Sequence, residues 1–448
     1  MKLAAVGLLT FLSIHVLAQQ PEKALSVTPK VNFRTFWMST SYAEDFKDDY
    51  SLGASINLGA SFQYKQNWSF EFGYRYISNV WSSDIWGIDP LSGRNNRYER
   101  GLYDLLNPKD RFFGKLETLH LDYKSGKLEL SVGRMPINSD WINGQDGRLA
   151  PTAVEGLKAK IQADSNWKIT GWYIDRLNVR GTSEWLNPGE TIGIFPVARD
   201  PEGRPSGYYG NTRSERLTVL EVDRKLNKGN LHFSHTLAHN IFNTYWLRWD
   251  ANWPGSDPQS AWITGLIAGY QHGIGNGGNS NPELRYKDPN DQNWSFSARF
   301  GYKKSGWLAH LNFTKAGGKG RWLNPREWGK DAWYTFVPRE RNEGYENFEA
   351  LVAYAEYTFP EINLTVYNHW GFHWLPFVGD VAGNKYAFPS YKQVNVGVKY
   401  QPKKYKNLDF HFLVMNKEAL RNEALTPAQR YNKIEMIHVN GIINWRLN

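Results

Sequence analysis

From Leu52 to Tyr64 every second residue is apolar: Leu52, Ala54, Ile56, Leu58, Ala60, Phe62 and Tyr64. The residues between them, Gly53, Ser55, Asn57, Gly59, Ser61 and Gln63, are small or polar. Trp68-Phe70-Phe72-Tyr74-Tyr76, Trp294-Phe296-Ala298-Phe300-Tyr302 and Val394-Val396-Val398-Tyr400 repeat the pattern. Period-two alternation marks strands with one apolar and one wet face. These runs match the ~9–11 residues that a tilted strand needs to cross a bilayer, whereas strands of soluble sandwiches mostly span about five or six. The pattern predicts 18 strands, near 31–40, 51–64, 68–78, 112–123, 127–135, 154–163, 167–176, 215–225, 230–239, 243–250, 261–271, 293–303, 307–315, 348–359, 362–372, 392–401, 408–416 and 434–447. The pair around 230–250, joined by very few residues, is the one whose omission would give 16.

The connections alternate in length. Short turns lie at 65–67, 124–126, 164–166, 226–229, 304–306, 360–361 and 401–407. Long Gly/Pro/Asn-rich segments lie at 79–111, 136–153, 177–214, 272–292, 316–347, 373–391 and 417–433. Short turns on one side and long loops on the other describe an all-β, transmembrane antiparallel β-barrel with periplasmic turns and extracellular loops. Aromatics at strand ends (Trp68, Tyr123, Trp167, Trp294, Trp307, Tyr357, Phe359 and Trp445) fit an interfacial girdle.

Composition removes the competing classes. No apolar run of ~20 residues repeats along the chain, which excludes a polytopic helical protein. The absence of cysteine excludes a disulfide scaffold. Twenty Trp, 25 Tyr and 23 Phe supply too much apolar surface for a disordered chain. Lys2, the apolar stretch Leu3 to Leu17 and Ala18 before Gln19 read as a signal peptide, so 1–18 is expected to be removed and 19–448 to form one barrel domain. The net charge of +9 falls to +8 once Lys2 is removed, too little over this length to indicate nucleic acid.

Two further segments carry a resemblance. Gly133-Arg134-Met135-Pro136, Trp141-Ile142-Asn143-Gly144 and Asp146-Gly147-Arg148-Leu149-Ala150-Pro151-Thr152-Ala153-Val154-Glu155-Gly156 form the first. Asn324-Pro325-Arg326-Glu327-Trp328-Gly329 with Phe336-Val337-Pro338-Arg339-Glu340-Arg341-Asn342-Glu343-Gly344 forms the second. They resemble the OprD family of outer-membrane porins. The resemblance implies a monomeric 18-stranded barrel in the outer membrane of a Gram-negative cell, among its lipids and lipopolysaccharide. It also implies a third loop folded inward as a constriction, a ladder of basic side chains, and passive uptake of small hydrophilic solutes such as amino acids or organic acids. A chitoporin-like oligosaccharide channel is the alternative within the family. The chain ends on a strand with Leu447 where outer-membrane proteins normally carry an aromatic.

If apolar positions face lipid, then Arg75, Lys158, Lys160, Arg299, Lys303 and Lys399 point into the lumen, with Glu71, Glu129 and Asp409 among them. Arg134 and Arg148 flank the expected constriction loop, and Arg339 and Arg341 sit in a second candidate. Asp146, Glu340 and Glu343 are carboxylates able to pair with them or to contact an ammonium group. Gly144 and Gly147 are expected to permit the inward turn. No G-x-S-x-G, H-E-x-x-H or G-x-x-x-x-G-K-[ST] motif occurs, so no enzyme activity and no cofactor are expected. His232, His235 and His239 lie on a predicted strand, where His235 and His239 are ~13 Å apart, too far to share a zinc. Asp288, Asn290 and Asp291 form a faint calcium-like cluster. A barrel enzyme and an exported soluble glycan binder are the competing classes; detergent-dependent extraction and hydrolase assays separate them.

Overall fold

The computed structural model describes residues 25–145, 147–195, 198–421 and 424–447. The expected leader, 1–18, lies outside the described residues, as does Asp146. The first nine strands are β1 (Leu25–Tyr42), β2 (Asp49–Tyr64), β3 (Trp68–Ser82), β4 (Phe112–Ser125), β5 (Leu128–Pro136), β6 (Ala153–Gln162), β7 (Trp167–Asn178), β8 (Leu217–Leu226) and β9 (Gly229–Ala238). The second nine are β10 (Phe242–Pro254), β11 (Ser260–Gly273), β12 (Gln292–Lys304), β13 (Trp307–Lys319), β14 (Phe348–Phe359), β15 (Leu364–Trp374), β16 (Tyr391–Tyr400), β17 (Leu408–Ala419) and β18 (Met436–Leu447). Each strand pairs antiparallel with its sequence neighbours, and β1 closes onto β18 with Phe33 opposite Trp445 and Ser39 opposite Val439. The result is one closed 18-stranded antiparallel barrel.

The wall is inverted relative to a soluble protein. Leu58 is 41% exposed while Asn57 beside it is 6%. The same alternation puts Leu121, Leu157, Leu247, Leu266, Phe296, Leu311, Val396 and Phe412 outside. It buries Ser55, Thr170, Ser234, Thr236, Gln271, Ser297, Asn312, Thr314, Gln393 and Asn395 inside. A continuous apolar outer belt is the surface that a bilayer covers at no cost.

The hairpin around 230–250 is present as β9 and β10, joined by only 239–241. β10 extends to Pro254, beyond the expected end at 250. Trp249 and Trp253 pack edge-on at 6.3 Å there, and Trp253 Nε1 donates to Thr264 Oγ1 at 2.9 Å. β1 likewise begins at Leu25 rather than near 31, its first residues pairing with β2 alone (Leu25 opposite Tyr64). Its start and the end of β18 therefore share the end of the barrel that carries the short turns. Trp68 packs on Tyr123 at 4.5 Å and Trp307 on Tyr357 at 4.7 Å at that rim.

The long connections gather at the opposite end. Loops 2 (83–111), 3 (137–152), 4 (179–216), 7 (320–347), 8 (375–390) and 9 (420–435) supply half of the buried aromatics among the described residues. One cluster centres on Trp141 of loop 3, with Trp333 at 4.9 Å and Trp246 at 5.0 Å, both edge-on. A second joins Tyr98, Leu102, Leu149 and Tyr431 from three loops.

Placing a charge on the belt tests the inversion. Leu266→Arg should cost about 2–4 kcal/mol if that position lies near the bilayer midplane. Urea titration of the barrel folded in phospholipid vesicles measures it; an unchanged midpoint would mean that Leu266 does not face lipid.

Candidate functional site

Loop 3 leaves β5 and turns into the lumen. Its inward path uses left-handed backbone at Gln145 (φ 57°), Gly147 (φ 69°) and Arg148 (φ 36°), so Gly147 serves as expected while Gly144 does not. Asp140 anchors one side. Its carboxylate accepts from Arg248 Nη1 and Ser234 Oγ and meets His232 Nε2, each at 2.8 Å. Burial pushes its pKa up, but the His232 contact and the Arg248 charge outweigh that and hold it below the usual carboxylate range. On the opposite side Ser55 Oγ of β2 donates to the Leu149 carbonyl at 2.8 Å. Arg148 Nη1 donates to the Tyr98 carbonyl, and a Cβ on Gly101 would lie 2.5 Å from that nitrogen.

Loop 7 folds inward beside loop 3, and the two are stitched together. Asn143 N–H donates to Trp328 O at 3.0 Å, and Gln145 Nε2 to Arg326 O at 2.9 Å and Glu327 O at 3.0 Å. Arg341 returns the contact, Nη2 to Gln145 Oε1 at 2.7 Å and Nη1 to the Gly329 carbonyl. Loop 7 reaches the wall through Tyr334 OH to Asp250 Oδ1 (2.6 Å) and Arg339 Nε to Asn440 Oδ1 (2.5 Å).

Charge, fully buried, fastens the rest of loop 7. Glu340 pairs with Lys417 at 2.6 Å and Lys433 at 3.1 Å. Burial raises its pKa, yet those two charges with Arg326 and Arg97 hold it well below the ordinary range. Glu343 pairs with Arg326 at 3.0 Å and is 0% exposed. Asp331 is different: burial raises its carboxyl to about 7, only partly offset by Arg341. Its Oδ2 accepts from the Asn342 amide while Oδ1 is buried without a partner.

Past these two loops runs a cavity of about 1450 Å³. It begins among loops at Arg94, Asn95 and Thr426 and continues to Thr358, Asn363 and Gln401 at the turn end. Among the described residues, ten arginines and four lysines line it against two carboxylates, Glu340 and Asp409. A smaller cavity of about 430 Å³ lies between loops 3 and 7 and the β8–β12 wall. Its lining includes Asp140, Glu221, Asp250 and Asp331 with His232, Arg248, Arg299 and Lys330. The two cavities share Lys330 and Phe336.

The structure sorts the residues singled out in the sequence. Arg148, Arg339 and Arg341 line the main cavity, and Arg299 lines the smaller one. Arg134 is held by Glu155 at 2.6 Å, Lys160 by Glu129 at 3.0 Å, and Lys158 lies over the Trp172 ring at 5.0 Å; none of the three is in either lining. Glu343 is sealed inside loop 7, where desolvation forces it onto Arg326 instead of a solute. His232 faces inward and His235 outward, and Asp288 pairs with Arg285 at 3.2 Å. Arg34, Arg97, Arg100, Arg180 and Lys399 also line the main cavity. Alternation alone points Arg34 inward between Phe33 and Thr35; the loop arginines carry no periodic signal.

The arrangement is that of a porin-type barrel narrowed by two inward loops. Solved structures share the fold: OccK9 (OpdG) of Pseudomonas aeruginosa superposes with a TM-score of 0.72 at 13% identity, over 94% of this chain and 98% of that one. A BenF-like porin from Pseudomonas fluorescens gives 0.72 at 13% over the same shares, and OccAB3 of Acinetobacter baumannii gives 0.69 at 14% over 94% and 99%. The fold is that of the OprD-family porins. No family model and no curated protein matches the chain.

Asp331 yields a prediction with a definite sign. A carboxyl raised to about 7 in the folded state contributes stability that is present below its unfolded pKa and lost as pH rises through about 7. Asp331→Asn should therefore raise the thermal midpoint at about pH 8 and lose that advantage below about pH 3, where the wild-type carboxyl is protonated in either state. A pH-independent difference in melting scans would contradict the assignment.

Proposed function

We propose that the chain is an exported, monomeric outer-membrane porin of the OprD type that passes small hydrophilic solutes passively and favours those bearing a carboxylate. The observation that supports this reading is the excess, among the described residues, of fourteen cationic side chains over two carboxylates along a cavity running from the loops to the turn end. A net charge spread over the whole surface is screened beyond ~8–10 Å at physiological salt. Selectivity therefore comes from groups within a few ångströms of the solute, where dielectric is low. Arg148, Arg339 and Arg341 hold that position at the constriction, and Arg34 and Lys399 continue the series on the wall. Arginine suits the task because its planar fork takes a carboxylate on two bonds and stays charged at neutral pH. Several modest sites in series pass a solute along, whereas one deep site would retain it.

This is a channel and not a catalyst on this reading. It rests on a lumen in which cationic groups are spread along a path instead of converging on one reacting position.

Replacing Arg339 and Arg341 with glutamate should move the reversal potential in a salt gradient toward cations and slow uptake of anionic solutes into liposomes. Because both arginines also fasten the loops, Lys399→Glu is the companion: Lys399 lies over the Tyr367 ring at 5.0 Å on the wall, away from the loop contacts. It should shift the reversal potential in the same direction. Wild-type selectivity in both variants would remove the cationic lining as the selective element.

A further inference from the structure

We infer that Asp140, His232 and Asp223 form a proton-operated clamp that positions loop 3 against the β8–β10 wall and thereby sets the width of the channel. Asp223 and His232 are directly opposite on β8 and β9, and Asp140 comes from loop 3. The imidazole sits between two carboxylates: Nδ1 is 2.7 Å from Asp223 Oδ1 and Nε2 is 2.8 Å from Asp140 Oδ2. An ionised carboxylate only accepts, so both ring nitrogens must donate, and only the imidazolium has two N–H groups. A neutral ring would turn a lone pair toward one carboxylate oxygen at that same separation. The clamp is therefore closed with the proton on and strained with it off.

The surroundings decide what gives way. Asp223 is also held by Lys168 at 2.9 Å on the wall. Asp140 keeps Ser234 Oγ and Arg248 Nη1, so its carboxylate loses one of three contacts, while Asn143 and Gln145 stay bonded to loop 7 and confine the shift to the segment around 138–140. Glu221, Asp250, Arg299, Lys330 and Asp331 complete the charged groups around the same cavity. Asn138, Ser139, Asp140 and Asn143 form its loop-3 side, and it already meets the main cavity at Lys330 and Phe336. Movement of 138–140 away from the wall widens this second path and brings the carboxylates of Glu221, Asp250 and Asp331 into contact with permeating ions. Conductance then rises while selectivity moves toward cations, a combination that a simple change in the charge of the arginine lining does not produce.

The inference rests on the channel reading above, and the two fail differently. A barrel that conducts nothing in a planar bilayer defeats that reading; a barrel whose conductance ignores pH defeats only the clamp. The test is single-channel conductance and reversal potential of the full barrel from about pH 5 to about pH 10, a range in which imidazole is the side chain that ordinarily exchanges its proton. The wild type should show a one-proton rise in conductance toward alkaline pH, accompanied by the shift toward cations. Asp223→Asn removes one carboxylate from the imidazolium and should lower the midpoint by about one pH unit or more. His232→Gln should abolish the step. Asp331→Asn should keep it, which separates His232 from the nearby carboxyl. A flat wild-type curve, a step that survives His232→Gln, or a step lost in Asp331→Asn overturns the clamp. Should His232→Gln fail to fold, an unmoved midpoint in Asp223→Asn overturns it equally.

Discussion

The contact on which the structure depends is the pairing of β1 with β18. In hydrocarbon an unpaired backbone N–H or C=O costs several kcal/mol, so a sheet can span it only by closing. Phe33 opposite Trp445 and Ser39 opposite Val439 complete that closure. Closure fixes the rest of the wall: with no edge left, alternation assigns every strand residue to lipid or to the lumen, and the polar half must go inside. The lumen is thus wet and charged before any loop enters it.

An inverted wall leaves the inward loops without a conventional apolar bed. Loops 3 and 7 answer this in two ways. Trp141, Trp322 and Trp333 make a local aromatic core with Trp246 of the wall. Where they meet charged groups they use carboxylates as fasteners: Asp140 against His232 and Arg248 of the wall, Glu340 against Lys417 of the wall and Lys433 of loop 9. A buried ion pair adds little net stability because desolvation consumes most of its attraction, but removing one partner leaves a bare buried charge. Such fasteners tolerate few alternative loop positions, which suits a constriction whose width matters. Carboxylates are drawn into these fastenings, and arginines dominate the described lining of the main cavity.

Most of the fold was legible in the sequence because alternation and turn length are the direct imprint of a closed, two-faced wall. All eighteen strands stand where the pattern put them, including the β9–β10 hairpin, whose three-residue connection gave the weakest signal. The site was legible only in part. Alternation identified Arg75 as lumen-facing, yet its partner Glu117 lies across a bulge between Gly73 and Tyr74 that no periodicity announces. Loop residues lack periodicity altogether. From the sequence Glu343 can pair with an arginine or contact an ammonium group, and nothing local chooses between them; the fold seals it against Arg326, just as it gives His232 the partner Asp140, 92 residues earlier. Long-range polar pairing across a lumen leaves no local trace.

The central claim is that solutes cross the lumen itself, past the arginines, with anions favoured. The chain has no native cysteine, so a single introduced thiol reports on access without background. Thr365 lines the main cavity at the turn end, beyond the constriction from the loops. With Thr365→Cys in a planar bilayer, an anionic sulfonate thiol reagent added on the loop side should modify the cysteine and reduce the current, faster than a cationic reagent of similar size. Modification only from the turn side, or faster reaction with the cation, would contradict the account.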